Sequence, residues 1–322
     1  MSFERPSANP ELAERIQVFQ GQFSSVVRNV GQVILGKDEV IRKVLLAMTA
    51  RGHVLLMDVP GTGKTMLARA IAATISGRFR RIQFTPDLLP MDITGSNVFN
   101  LRTKQFEFQA GPVFAQILLA DEINRATPKT QSALLEVMAE GQVTVEGRTH
   151  ELERPFQVLA TMNPLDHDGT YVLPAAQLDR FTMQLTMGFP PAEAEIRMLD
   201  IHLGNRPPVD DLASVIDIDT FLQWQETVPL VYVSDLLKRY VVAVVNAIRA
   251  DARVLAPPSP RATLMLVRVA QAVALSRGRD HLLPEDVQHV AADVLGHRLL
   301  LAGDATAHAY VREVMASVDI HR

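Results

Sequence analysis

The chain has 322 residues, room for one large domain or two, and its 48% hydrophobic and 21% charged residues mark a globular rather than a disordered protein. It has no cysteine, which excludes disulfides, zinc–thiolate sites and thiol catalysis. A formal net charge of −4 lacks the basic excess of a nucleic-acid binder, and no apolar run approaches the length of a bilayer span.

In chain order, Met1-Ser-Phe-Glu-Arg-Pro6 lacks the basic-then-apolar pattern of a signal peptide, so a soluble, cytoplasmic protein without membrane insertion is expected. Residues 1–20 are polar with helical spacing at Leu12, Ile16 and Phe19, and predict an N-terminal helix. From about Gln32 to Leu185, short apolar strands alternate with helical stretches, the pattern of an α/β sheet with helices on both faces. The predicted strands are His53–Met57, Arg81–Phe84, Ile117–Asp121, Phe156–Thr161 and Met183–Thr186. Lys64–Ser76 reads as a helix with Leu67, Ala70, Ile71 and Thr74 on one face and Gly77 as its stop. Val143-Thr-Val145 alternates apolar and polar residues and, with the stretch after Glu146-Gly147, predicts a hairpin. No strand is expected beyond Gly188-Phe-Pro-Pro191. Leu237, Tyr240, Val241, Val244, Val245 and Ile248 have amphipathic helix spacing, as do Leu264 to Ala274 and Val287 to Val294. Arg206-Pro-Pro208 and Ala256-Pro-Pro-Ser-Pro260 are joints between such helices. The expected division is an α/β unit at 1–200 and an all-helical unit at 201–322.

The chemistry gathers at strand ends. Asp58, Pro60, Gly61, Thr62, Gly63, Lys64, Thr65 and Met66 belong to a glycine-rich run leading from the first strand into a helix, the P-loop arrangement. Its glycines bring backbone amides close to phosphate oxygens, Lys64 reaches the β- and γ-phosphates of ATP, and the Thr65 hydroxyl is a ligand for Mg²⁺. Asp58 stands where the pattern has its first glycine. Asp121, closing another apolar strand, is the second candidate magnesium ligand, and Glu122 beside it the candidate base that polarises the attacking water. Asn163, after the fourth strand, has an amide suited to orienting that water, although Asn-Pro alone also marks a turn. His167 and Asp168 read as polar loop residues and Trp224 as a lid-core residue. For Arg125 and Lys129, contact with a neighbouring subunit and surface ion pairing stay open.

The run Asp58–Thr65, with Asp121-Glu-Ile-Asn-Arg-Ala126, Lys129–Glu136, Asn163-Pro164, Gly169-Thr-Tyr171, Ala176-Gln-Leu-Asp-Arg-Phe181 and Ser259-Pro-Arg-Ala262, resembles the AAA+ ATPases and, within them, the MoxR group. The resemblance covers about Gly31 to Leu300. It implies a P-loop AAA+ core with a five-stranded parallel sheet, an all-helical C-terminal lid, and a homo-oligomeric ring, typically a hexamer. It makes Asn163 the sensor beside the γ-phosphate and Arg180 the arginine finger entering a neighbour's site. Arg261 is then the lid arginine, acting in its own subunit or a neighbour's. Leu88–Phe108 resembles the helix-2 insertion, with Phe106-Glu-Phe108 closing a small hairpin, and Ile34-Leu35-Gly36 the apolar backbone packed against adenine. Met162, Ala175 and the approach to Ser259 depart from the family's usual residues, none of them at a phosphate contact.

The expectation is an ATP-hydrolysing chaperone or remodeller of client proteins, in protein maturation or metal-cofactor insertion, with a von Willebrand factor A domain partner. The motor subunit of a metal chelatase ranks second, a nucleic-acid motor third, and a nucleotide-controlled scaffold last.

Overall fold

The computed structural model describes residues 10–59, 61–163, 170–202, 209–303 and 305–319. Pro60, His167, Asp168 and the Arg206-Pro-Pro208 joint lie outside the described residues.

The N-terminal helix is longer than its first stripe suggests. α1 runs Pro10–Gly31, because the spacing begun at Ile16 and Phe19 continues through Phe23, Val26, Val27 and Val30, all buried. The intervening Gln20 and Gly21 are exposed, so they cost the helix only propensity and no packing. There follow α2 (Asp38–Thr49), β1 (Val54–Met57), α3 (Lys64–Thr74), β2 (Phe79–Gln83) and the short α4 (Pro90–Thr94). The hairpin β3 (Gly95–Asn100) and β4 (Gln105–Ala110) comes next, then β5 (Ile117–Asp121) and α5 (Pro128–Glu140). A second hairpin, β6 (Gln142–Val145) and β7 (Arg148–Glu151), precedes β8 (Gln157–Met162), α6 (Ala175–Leu178) and β9 (Met183–Leu185).

Five strands form one parallel sheet in the order β2-β5-β8-β1-β9. All five expected strands are present, with His53 and Phe156 just outside theirs and β2 starting earlier, at Phe79. Phe84 still extends the line of β2, donating its N–H to the carbonyl of Asp121 at 2.9 Å. The two-residue period of a strand sorts the core. Val54, Leu56, Ile117, Leu119 and Leu159 face α1, α2 and α3, whereas Leu55, Leu118, Ala120, Val158 and Ala160 join Phe84, Leu134 and Leu135 on the other side.

After α7 (Ala192–His202) come α8 (Ile218–Thr227), α9 (Asp235–Ala250), α10 (Pro260–Ser276), α11 (Pro284–Leu295) and α12 (Ala307–Ser317). Asp217, Ser234, Ser259 and Thr306 cap α8, α9, α10 and α12 by accepting a backbone N–H three residues on. This lid is helical as expected, with one correction: strands do not stop at Pro191. β10 (Val254–Ala256) and β11 (Leu300–Leu301) pair antiparallel, segments too short to show alternation. Trp224 of α8 is 3% exposed and packs on Phe19 and Phe23 of α1, with ring centroids at 4.9 and 6.0 Å. It donates its indole N–H to Gln22 at 2.9 Å. Because α1 also packs on α3 and α10, one apolar cluster runs from the sheet face through α1 into the lid.

Candidate active site

The short connection from β1 to α3 has to turn sharply, and two glycines carry the turn. Gly61 and Gly63 lie at φ 85° and 89°, a left-handed conformation that strains any residue with a Cβ. Gly63 is the N-cap of α3, so the positive end of that helix and the loop amides converge, the arrangement that binds phosphate. The Lys64 ammonium donates to the carbonyls of Asp58 and Val59, both at 2.9 Å, and the Thr62 hydroxyl to Val59 at 3.3 Å. Partial burial lowers the Lys64 pKa, while the carboxylates of Asp58, Asp121 and Glu122 act to raise it. Lys64 thus lies within electrostatic reach of both acids at the end of β5. Asp58, 7% exposed, accepts from the Val59 amide at 2.8 Å and from Gly188 at 2.6 Å, so its side chain braces the loop against the turn after β9. Pro60, a predicted member of this loop, is outside the described residues.

The acids are held by a set of side chains that strand patterns did not reveal. Asp121 is 9% exposed; one carboxylate oxygen accepts from the Thr161 hydroxyl at 2.6 Å and the other from Arg81 at 2.7 and 3.1 Å. Glu122 has left-handed backbone (φ 57°), and its amide donates to the same Thr161 hydroxyl at 2.8 Å. Its carboxylate is met by Gln83 at 2.8 Å and Arg125 at 3.0 Å, so Arg125 is engaged in an ion pair within its own chain. One hydroxyl, used as donor and as acceptor, therefore orients both acids. Asn163, 7% exposed, follows the end of β8, which runs between β5 and β1, and so stands between the acids and the loop.

Thr65 and Asp121 supply hydroxyl and carboxylate oxygen, hard donors that suit magnesium, which takes few protein ligands beside phosphates and water. Among the described residues no group of three or more His, Asp or Glu is arranged to hold a metal by itself. The donor set fits a phosphate-bound Mg²⁺. Ile34 and Leu35 are 6% and 4% exposed, Ile34 within the core and Leu35 lining a cavity of about 530 Å³ with Arg28, Arg42 and Arg197. Gly36 (φ 68°) allows this loop to pack on α7, since a Cβ there would stand 2.9 Å from Pro191 and Ala194. Met66 packs partly buried against the core.

The two candidate arginines lie at the other end of the sheet. β9 runs parallel to β1 with Met183 opposite Val54 and Leu185 opposite Leu56, and the Thr182 amide donates to the His53 carbonyl at 2.8 Å. The P-loop leaves β1 at its end, whereas Arg180 precedes the start of β9, a separation of about 15 Å along the strands at ~3.3 Å per residue. Arg180, half-buried, donates to the carbonyl of Leu135 on α5. Arg261, exposed at the start of α10, is near enough for its charge to act on His53 and Arg298. Neither arginine is brought to its own P-loop.

Residues 53–183 match the family described as ATPases associated with various cellular activities, and residues 246–316 match the AAA lid domain. The chain is 46% identical over 299 residues to the uncharacterised protein YeaC of Bacillus subtilis, covering 91% of this chain and 93% of that one. It is 40% identical over 317 residues to chaperone MoxR1 of Mycobacterium tuberculosis, covering 96% and 83% respectively. A solved structure from Cytophaga hutchinsonii, described as a candidate ATPase, superposes with a TM-score of 0.88 at 35% identity, covering 95% of this chain and 97% of that one. With its P-loop, strand-end acids and helical lid in one fold, the chain belongs to the MoxR family of AAA+ ATPases and hydrolyses ATP.

Proposed function

We propose that the protein is a ring-forming chaperone ATPase that uses Mg·ATP to remodel client proteins. The observation that carries this reading is the separation of Arg180 from its own P-loop. A planar guanidinium supplied by a neighbour stabilises charge on the transferred phosphoryl group, and this requires copies arranged head to tail. Lys64 and the loop amides hold the phosphates, Glu122 takes the proton of the attacking water, and Asn163 orients that water. Thr65 and Asp121 would hold Mg²⁺, which would supply charge neutralisation to the phosphate oxygens. Arg180 and Arg261 both serve the adjacent subunit. The stretch 34–36 borders the base, and the boundary between core and lid falls near residue 200.

The client side rests on the β3–β4 hairpin. Phe99 and Phe106 pair edge to face at 5.3 Å yet are 45% and 69% exposed, and Leu101 at the tip is 84% exposed. Exposed apolar groups of this kind suit an unfolded or partly folded chain. A von Willebrand factor A domain partner and work in enzyme maturation or metal insertion complete the proposal. No helix among the described residues is long and apolar enough to cross a membrane. ATP turnover measured against protein concentration, with and without an unfolded polypeptide, tests the reading. Turnover per subunit should rise with concentration and with added polypeptide, and the double change Phe99→Ser, Phe106→Ser should abolish only the second effect. Concentration-independent turnover would sink the ring.

A further inference from the structure

The residues flanking Arg180 are held by the lid, and by few groups. One Asp179 carboxylate oxygen accepts from Arg298 Nε at 2.7 Å and the other from the Ser259 hydroxyl at 3.0 Å. Arg298 is 4% exposed, and its remaining donors go to the carbonyls of Asp179 (3.2 Å), Phe181, Thr182 (3.3 Å) and Val294. His297 beside it bonds the Phe181 carbonyl at 3.0 Å, and Phe181 itself is fully buried. The backbone on both sides of Arg180 is thus pinned by the segment after α11, while the Arg180 guanidinium donates to the Leu135 carbonyl of α5. Ser259 has a second duty: its oxygen caps α10 by accepting from the Ala262 amide at 3.2 Å, one residue past Arg261. Asp179 is therefore a joint shared by the segment carrying Arg180 and the helix carrying Arg261.

We infer that Asp179 and Arg298 are positioning residues that make the arginines a subunit offers its neighbour move as a unit with that subunit's own lid. The inference rests on the reading of Arg180 as a finger acting in trans. Arg298 reaches around the joint because guanidinium has five donors in a fixed plane; an ammonium of the same charge cannot span a carboxylate and several carbonyls together. The consequence is directional. A defect at Asp179 leaves the subunit's own nucleotide site intact and impairs the neighbour's.

Mixed rings separate this from a general packing role. As a control, Arg180→Ala mixed with Lys64→Ala should regain turnover, because intact fingers then face intact ATP sites. Asp179→Asn alone should bind a fluorescent ATP analogue as the wild type does, with kcat reduced about 10- to 100-fold by the misplaced group. Mixed with Lys64→Ala it should recover as the control does. Placed instead on the Lys64→Ala subunit and mixed with Arg180→Ala, it should prevent recovery. Arg298→Lys should show the same asymmetry, which guards against a folding defect peculiar to one variant; melting temperature and ring assembly are followed throughout. A control pair that recovers, while Asp179→Asn acts equally from either subunit or weakens nucleotide binding, overturns the positioning role alone. A control pair that never recovers removes the trans reading, and this role with it.

Discussion

The nucleotide face and the Arg180 segment are built by different means. At the nucleotide face the supports come from the α/β core: Thr161, Arg81 and Gln83 hold Asp121 and Glu122 from neighbouring strands, and Arg125 pairs with Glu122 from the turn after β5. The Arg180 segment keeps ties to the core, from Arg180 to the Leu135 carbonyl and from the Thr182 amide to His53, but adds a second set to Ser259, His297 and Arg298, up to 119 residues away. In the ring proposed above, what a subunit uses for itself would be preset by the core, and what it presents outward would be held jointly by core and lid. Such a division would let own-site binding stay constant while the lid changes the group offered across the proposed subunit boundary.

The largest test of that contrast pairs two deletions. Arg180→Ala should lower turnover about 10³-fold, and Glu122→Gln about 10²-fold or more, with Mg·ATP binding retained in both. Loss of binding in Arg180→Ala would break the contrast, since the residue would then serve its own site. Thr161→Val comes next: it removes one hydroxyl and leaves the Asp121 carboxylate and the Glu122 amide short of a partner, at about 1–3 kcal/mol. Turnover should fall about tenfold through misorientation, and Thr161→Ser should restore it. Equal activity in Val and Ser variants would remove the orienting role.

Acid supplies the smallest effect, and it acts at the Arg180 end of the sheet. Burial pushes His53 down from 6.5 to about 4, with the Met138 carbonyl opposing and Arg261 assisting. Burial likewise pushes His297 down from 6.5 to about 3, and the Arg298 charge adds to it. The native state keeps both rings neutral while the unfolded chain takes up protons below its own pKa. Stability from each is therefore fully present above pH 6.5 and is lost as pH falls from there through about 4 for His53 and about 3 for His297. The slope approaches about 1.4 kcal/mol per pH unit for each ring. Melting temperatures from pH 7 to pH 4 should fall accordingly, and His53→Gln should flatten part of the slope; an unchanged profile in that variant would dismiss His53 as a source.

Local patterns made the nucleotide half legible in the sequence. The glycines that must turn, the apolar run of β1, and the acids after the four apolar residues Ile117–Ala120 are each visible within a short window. Thr161 was hidden because a lone hydroxyl in a strand looks like ordinary β-propensity. Arg298 was hidden more deeply: its partners are mostly main-chain carbonyls, which carry no residue type to read. The β10–β11 ribbon escaped for a related reason, since a three-residue strand against a two-residue one has too few positions for a period.

The course of α1 bears on how the lid can move at all. Because Phe19, Phe23 and Val30 belong to one unbroken apolar seam shared with α3, α8 and α10, swinging the lid as a free door would open that seam to water. Small sliding steps along α1 keep it closed. The molecule is thereby suited to graded, sub-helical-turn adjustments, and a chain shortened past Phe23 should lose that track and gain a loosely attached lid.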